Sequence, residues 1–256
     1  TLPASSAASD VYKRQIAMYG IEEGLIDWNF SIFDEGFFTL PEDGRIYRDW
    51  KEGGHGDTNL FKAITQSSNT YFFDLAYRSD INQLNKHLSS LGFGDKACID
   101  CFEEDQVFVP EPSWKMNKHN FGWFKGDTVN MGVGQGYLVS TPIQLAKYAY
   151  IMANKGKFSD LSLKKDLVKS EKSIEFNKFS NDDWFKLHES MVNVIEGNTG
   201  TARRLRERKN YIVAAKTGTA ELVSGDNREQ YSETRLDDSL RDHALIIAFG
   251  PMPNPR

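Results

Sequence analysis

The hydrophobic period of this chain changes once, and late. Up to Ile195 the apolar residues recur at helical spacing, whereas residues 211–215 (Tyr-Ile-Val-Ala-Ala) and 244–249 (Ala-Leu-Ile-Ile-Ala-Phe) are short, nearly continuous apolar runs. Such a chain must lay helices against a sheet, so a helix-rich α/β domain is expected. Asp80 caps one helix, with Gln83 as capping-box partner, a stripe of Ile81, Leu84, Leu88 and Leu91, and Gly92 to stop it. Thr141 opens another, with Pro142 at the first position and Gln144 completing Thr-x-x-Gln. It passes through Leu145, Tyr148, Ala149 and Met152 and ends near Gly156. Trp184, Leu187, Met191 and Ile195 mark a third, and residues 16–26, 60–64 and 70–77 read as further helices. Residues 27–59 and 95–127 read as irregular, and 157–179 as an exposed lysine-rich connection. No repeat or domain boundary is visible.

Composition narrows the function classes. With 256 residues, 39% hydrophobic and 26% charged, the chain can bury a core and is neither disordered nor a membrane bundle. No apolar run approaches the roughly 20 residues needed to span a bilayer. The 31 basic and 36 acidic residues give a net charge of -5, which excludes an electrostatic partnership with nucleic acid. The two cysteines, Cys98 and Cys101, are too few for a disulfide framework or a four-cysteine zinc site. They form either a disulfide or a redox pair, and no thioredoxin-like context supports redox catalysis. Arg203-Arg-Leu-Arg-Glu-Arg-Lys209 reads as a solvated helix face.

The N-terminus reads differently from the rest. Ser5-Ser-Ala-Ala-Ser-Asp-Val-Tyr-Lys-Arg-Gln15 resembles, residue for residue, the translation of a transposase sequencing adapter. Residues 1–15 are therefore read as an adapter-derived scar, not native, and are set aside in reading the fold, with native sequence, residues 16–256, resuming near Ile16 inside an element.

Two short motifs carry chemistry. Lys216-Thr-Gly-Thr219 directly follows the first apolar run. The Lys216 ammonium attracts a carboxylate, the Thr217 and Thr219 hydroxyls can donate to it, and Gly218 lets an extended ligand approach the strand edge. Ser67-Ser-Asn69 joins two helices; taken alone it reads as capping residues, but a serine hydroxyl can relay a proton and an asparagine amide can hold a peptide carbonyl. Gly132-Val-Gly-Gln-Gly136 lacks the spacing of a phosphate loop and reads as close backbone packing. Ser-x-x-Lys, then Ser-x-Asn, then Lys-Thr-Gly is the order found in penicillin-recognising serine enzymes, and the last two occur here in that order.

With Tyr47-Arg-Asp-Trp50, Gly54-His-Gly56, Ser67-Ser-Asn-Thr-Tyr-Phe72, Gly126-Asp-Thr128, Gly132-Val-Gly-Gln-Gly-Tyr137, Ser140-Thr-Pro-Ile-Gln-Leu145, Lys216-Thr-Gly-Thr-Ala220 and Leu240-Arg-Asp-His243, the chain resembles the class B penicillin-binding protein 2 transpeptidases of cell elongation. The resemblance implies the penicillin-binding-protein transpeptidase (serine β-lactamase-like) α/β fold, with an antiparallel sheet, packing helices and an all-helical subdomain, here truncated at both ends. Of that five-stranded sheet only the hairpin around Lys216 and Leu245 is expected, with an unpaired apolar edge prone to aggregation. It also implies a D,D-transpeptidase that cross-links peptidoglycan stem peptides through a serine acyl-enzyme and is acylated by β-lactams. It would act at the periplasmic face of the bacterial inner membrane, its parent anchored by an upstream segment and working with elongation-complex membrane proteins. Ser67 would relay protons, Asn69 would hold the acyl-side amide, and Lys216, Thr217, Gly218 and Thr219 would bind the terminal carboxylate.

Two departures qualify that picture. The only Ser-x-x-Lys, Ser162-Leu-Lys-Lys165, lies between the other motifs and reads as chance. Counting back from residue 16 puts the nucleophile motif at Asp10-Val-Tyr-Lys13, with Asp10 in place of the serine, so the chain as written is expected to be inactive. No cofactor is required for the chemistry. Some members carry a structural zinc on two Asp, one His and one Cys; the matching residues are Asp34, Asp49, His55 and Ser68, so Asp34, Asp49 and His55 survive as a candidate structural zinc site, while the neutral Ser68 hydroxyl is a poor ligand beside a thiolate. The rivals are a β-lactamase, or a non-catalytic D-Ala-peptide or β-lactam binding or sensor domain of the same fold.

Overall fold

A computed structural model describes residues 5–6, 9–102, 104, 107–165, 170–208, 210–220 and 243–255. Residues 1–4 and 7–8 of the adapter-like stretch, Lys209, and the polar segment 221–242, with most of Leu240-Arg-Asp-His243, lie outside the described residues. The first half runs β1 (Ser5–Ser6), a 3-10 turn (Ser9–Tyr12), α1 (Lys13–Glu23), β2 (Ser31–Asp34), β3 (Phe37–Thr39), β4 (Ile46–Arg48), β5 (Gly56–Asn59), α2 (Leu60–Gln66), α3 (Asn69–Arg78) and α4 (Ile81–Ser90). The second runs α5 (Pro112–His119), α6 (Lys125–Gly132), β6 (Val139–Ser140), α7 (Pro142–Ala153), β7 (Lys157–Ser159), β8 (Glu171–Ser173), α8 (Asn181–Glu196), a 3-10 turn (Arg203–Arg208), β9 (Ala214–Ala220) and β10 (His243–Phe249).

Local sequence explains the helix boundaries. Asp80 accepts from the amides of Asn82 and Gln83 at the start of α4. Thr141 and Gln144 make the reciprocal capping box of α7. Ser180 and Asp183 make another on α8, whose buried face carries Trp184, Leu187, Met191, Val194 and Ile195. The core is built on α3, which buries Tyr71, Phe72, Phe73 and Leu75. Each such side chain contributes on the order of 1.5–3 kcal/mol through burial. α6 crosses α3 at close range: a Cβ on Gly132 would lie 2.6 Å from the Phe72 carbonyl oxygen, so the glycine run serves backbone packing. Cys98 and Cys101 are joined by a disulfide. The described strands pair two by two in antiparallel fashion, and β9 with β10 is the longest pair, running from Ala214↔Phe249 to Ala220↔His243.

Val11, Tyr12, Lys13, Arg14 and Gln15 of the adapter-like stretch are fully buried. Three sequence expectations need correction. Segment 27–59 contains two short antiparallel pairs, β2 with β5 and β3 with β4, and 157–179 contains β7 with β8. These three- and four-residue strands are too short for an alternation to register. Segment 95–127 holds α5, which buries only Lys115 and so shows no apolar stripe. Finally, β9 begins at Ala214 and includes Lys216-Thr-Gly-Thr219, which therefore lies in a strand and not after one.

Two consequences are measurable. Arg14 is fully buried; Nη2 donates to the Val11 carbonyl at 2.8 Å, the guanidinium lies over Tyr148, Nε has no partner, and no described carboxylate pairs with it. Burial pulls its pKa down to about 10. Arg14→Met removes an uncompensated buried charge and is expected to stabilise the chain by about 1–3 kcal/mol, read as a raised thermal midpoint. Gln15, with its amide nitrogen turned to the Val11 and Tyr12 carbonyls at 2.8 Å, keeps the Val11 carbonyl paired in that variant. On β10, Leu245, Ile247 and Phe249 pack on the core while Ile246 is 47% exposed, and among the described residues the outer edge of the strand has no partner. Ile246→Lys should reduce concentration-dependent self-association in sedimentation velocity.

Candidate active site

Ser67 is placed by a reversal between two helices. It closes α2 in the left-handed region, at φ 58°, with its amide bonded to the Ala63 carbonyl, and Ser68 then caps α3. A non-glycine residue there costs on the order of 1 kcal/mol. The cost is offset locally: the Ser67 carbonyl accepts from Lys13 Nζ at 2.7 Å and from the Trp50 indole at 3.0 Å. Asp49 Oδ2 accepts from the Asn69 and Thr70 amides at 2.6 and 3.0 Å, placing a carboxylate on the positive end of α3.

The reversal aims Ser67 Oγ at two ammonium groups. Lys216, fully buried in β9, donates to Ser67 Oγ at 2.6 Å and to the Thr217 carbonyl at 2.8 Å. Lys13, at the start of α1, donates to the same Oγ at 3.1 Å and to Asn69 Oδ1 at 2.5 Å, and pairs with Asp10 Oδ1 at 2.6 Å. Burial raises the Asp10 pKa, but the charges of Lys13 and Lys216, with hydrogen bonds from Lys13 and Ser67, outweigh it and hold the carboxyl below its usual range. Ser67 thus uses both lone pairs and its one proton. Burial, reinforced by Lys13 and Arg14 and opposed by Asp10, brings Lys216 down to about 7. A lysine titrating there can both give and take a proton near neutral pH.

The structure therefore gathers Ser67, Asn69 and Lys216 with Asp10 and Lys13. Gly218 faces the same 3-10 turn: a Cβ there would meet Val11 Cγ1 at 3.1 Å, so the close approach it permits is that of the turn bearing Asp10. Thr217 and Thr219 are half-buried on the alternate face of β9, and Thr217 Oγ1 shares a hydrogen bond with Thr201 at 2.8 Å. Asp34, Asp49 and His55 form a separate buried group behind the start of α3, with ligand atoms within 4.8 Å of one another. Ser162 is elsewhere, its hydroxyl donating to Asp100. Sequence reasoning assigned no part to Trp50 and missed Thr201. Trp50 lay inside a quoted motif, whereas nothing in the local sequence marks Thr201.

The sign of the Lys216 shift fixes a pH dependence. Its folded value of about 7 lies below the ordinary 10.5, so between those pH values the unfolded chain binds a proton that the folded chain does not. This group's contribution to stability therefore rises with pH across that window and levels off above it. Asp10→Asn, which removes the anion that raises the Lys216 pKa, should move the Lys216 midpoint below about 7 in a 13C-lysine NMR titration.

Residues 6–256 match the family described as the penicillin binding protein transpeptidase domain. The chain is 37% identical over 248 residues to the peptidoglycan D,D-transpeptidase MrdA of Acinetobacter baumannii, covering 93% of this chain and 36% of that protein. It is 36% identical over 249 residues to the MrdA of Haemophilus influenzae, covering 94% and 38%. It thus spans less than half the length of these relatives. Among solved structures, Pseudomonas aeruginosa PBP2 in complex with WCK 5153 aligns with a TM-score of 0.85 at 31% identity, over 99% of this chain and 56% of that one. Helicobacter pylori PBP2 in complex with MreC aligns at 0.87 with 29% identity, over 98% and 44%. With its α/β architecture and with Ser67, Asn69 and Lys216 converging in one buried site, the chain belongs to the penicillin-binding-protein transpeptidase family.

Proposed function

We propose that this chain carries most of the active site of a peptidoglycan D,D-transpeptidase, an enzyme that passes the acyl group of a D-Ala–D-Ala stem peptide through a serine ester to a neighbouring amine. The observation that carries the reading is the convergence of Lys13, Ser67, Asn69 and Lys216 around position 10. A hydroxyl at that position would lose its proton to Lys13 as it attacks the carbonyl, and the Ser67–Lys216 pair would deliver a proton to the departing amine. Asn69 would hold the acyl-side amide, while Lys216 with the Thr217 and Thr219 hydroxyls would receive the terminal carboxylate, the peptide lying along the edge of β9 that pairs with no strand among the described residues. β-Lactams would enter by the same route. Action on stem peptides places the protein on the periplasmic face of the inner membrane, in company with elongation-complex membrane proteins such as the MreC bound to the Helicobacter pylori relative. Among the described residues no helix is long and apolar enough to cross a membrane.

Asp10 decides what this particular chain does. A carboxylate paired with Lys13 is a weak nucleophile, and acylating it would give a hydrolysable anhydride instead of a stable ester, so the chain as written does not accumulate an acyl-enzyme. A second reading, non-catalytic recognition of D-Ala peptides or β-lactams, has one observation in its favour: Ser67, Asn69 and Lys216 stay assembled without a nucleophilic hydroxyl at position 10. Fluorescent-penicillin labelling separates the two. The chain itself is expected to remain unlabelled, Asp10→Ser to label covalently, and Asp10→Ser with Lys216→Ala to lose most of that label. An Asp10→Ser variant that is folded by circular dichroism yet binds penicillin only reversibly would leave the binding-domain reading.

A further inference from the structure

The group formed by Asp34, Asp49, His55 and Ser68 contains three residue types that hold zinc, and the donor set itself tests whether it does so here. All four are buried, and the ligand atoms of the first three lie within 4.8 Å of one another. What decides the matter is where the protons and lone pairs go. Ser68 Oγ gives its proton to Asp34 Oδ2 at 2.7 Å and accepts the Tyr71 amide at 3.1 Å. His55 Nδ1 lies 2.8 Å from the same Asp34 oxygen. The other Asp34 oxygen takes the Gly36 amide at 2.9 Å. Asp49 Oδ2 takes the Asn69 and Thr70 amides, and its Oδ1 takes the Lys51 amide at 3.0 Å. His55 Nε2 is buried with no polar partner, beside the Trp50 ring at a centroid separation of 5.5 Å.

We infer that these four residues form a metal-independent hydrogen-bonded clamp that fixes the N-terminus of α3, and with it Ser67 and Asn69. A zinc ion would have to displace the His55 and Ser68 donors from Asp34, and Ser68 offers no negative charge in return. A thiol in that place would reverse the balance, because its thiolate ligates and has no proton to give Asp34. The clamp reaches the candidate active site through the chain itself. Asp49 caps the first two residues of α3, Ser68 joins Asp34 to the Tyr71 amide, and Trp50, next to Asp49, donates to the Ser67 carbonyl. The inference is independent of whether the chain can be acylated.

The test is metal content and amide exchange on the intact chain. After incubation with excess zinc chloride and desalting, mass-spectrometric metal analysis should find far less than one zinc per chain, and a chelator should leave the thermal midpoint unchanged. Ser68→Cys should retain one zinc per chain and lose thermal stability on chelation. One tightly held zinc in the unaltered chain, with a midpoint that falls on chelation, would overturn the inference whether or not Ser68→Cys folds. For the clamp itself, Ser68→Ala should speed hydrogen exchange at the Asn69, Thr70 and Tyr71 amides while leaving the interior amides of α8 unchanged. Unchanged exchange at those three positions would refute it.

Discussion

One serine hydroxyl between two buried ammonium groups sets the terms for the rest of this structure. Lys13 and Lys216 both donate to Ser67 Oγ, and both side chains are fully buried. Like charges this close are tolerable only because Asp10 contributes an opposite charge and because Lys216 gives up its proton near neutrality. Three separate segments have to meet for that to happen: the 3-10 turn with the start of α1, the α2–α3 junction, and β9. The absence of a side chain at residue 218 eases the approach of the 3-10 turn to β9, since a Cβ there would lie 3.1 Å from Val11 Cγ1.

Rigidity at this point comes from behind. The N-terminus of α3 exposes unpaired amides and the positive end of a helix dipole, and Asp49 supplies both the acceptors and the negative charge. Asp34, His55 and Ser68 extend the same network one layer deeper. Ser67 can therefore hold its left-handed backbone, because its amide, carbonyl and hydroxyl are each bonded to a different element.

Residues 10–15 show how far packing can accommodate a stretch that reads as foreign to the rest of the chain. Val11 and Tyr12 join the main apolar cluster, with Tyr12 against Phe93 at a centroid separation of 4.9 Å, and Lys13 reaches the polar centre. Arg14 enters the same interior without a described carboxylate and relies on the Val11 carbonyl and the Tyr148 ring.

Much of the architecture was legible from residue order. Asp80, Thr141 and the stripe from Trp184 to Ile195 announced their helices, because caps and helical periodicity are local properties. The pairing of the two apolar runs and the chemical content of Ser67-Ser-Asn69 and Lys216-Thr-Gly-Thr219 could also be read there. The short strands β2–β5, the polar helix α5 and the true start of β9 could not, since their partners are distant and their own patterns are too brief. Nor could the burial of residues 11–15 or the pairing of Thr217 with Thr201. Residue order by itself determined the capped and apolar-striped helices, the family resemblance and the types of group available for chemistry. The tertiary structure alone decided which of those groups share a proton and which lysine is pulled toward neutrality, because hydrogen bonds and desolvation depend on distances between segments far apart in the chain.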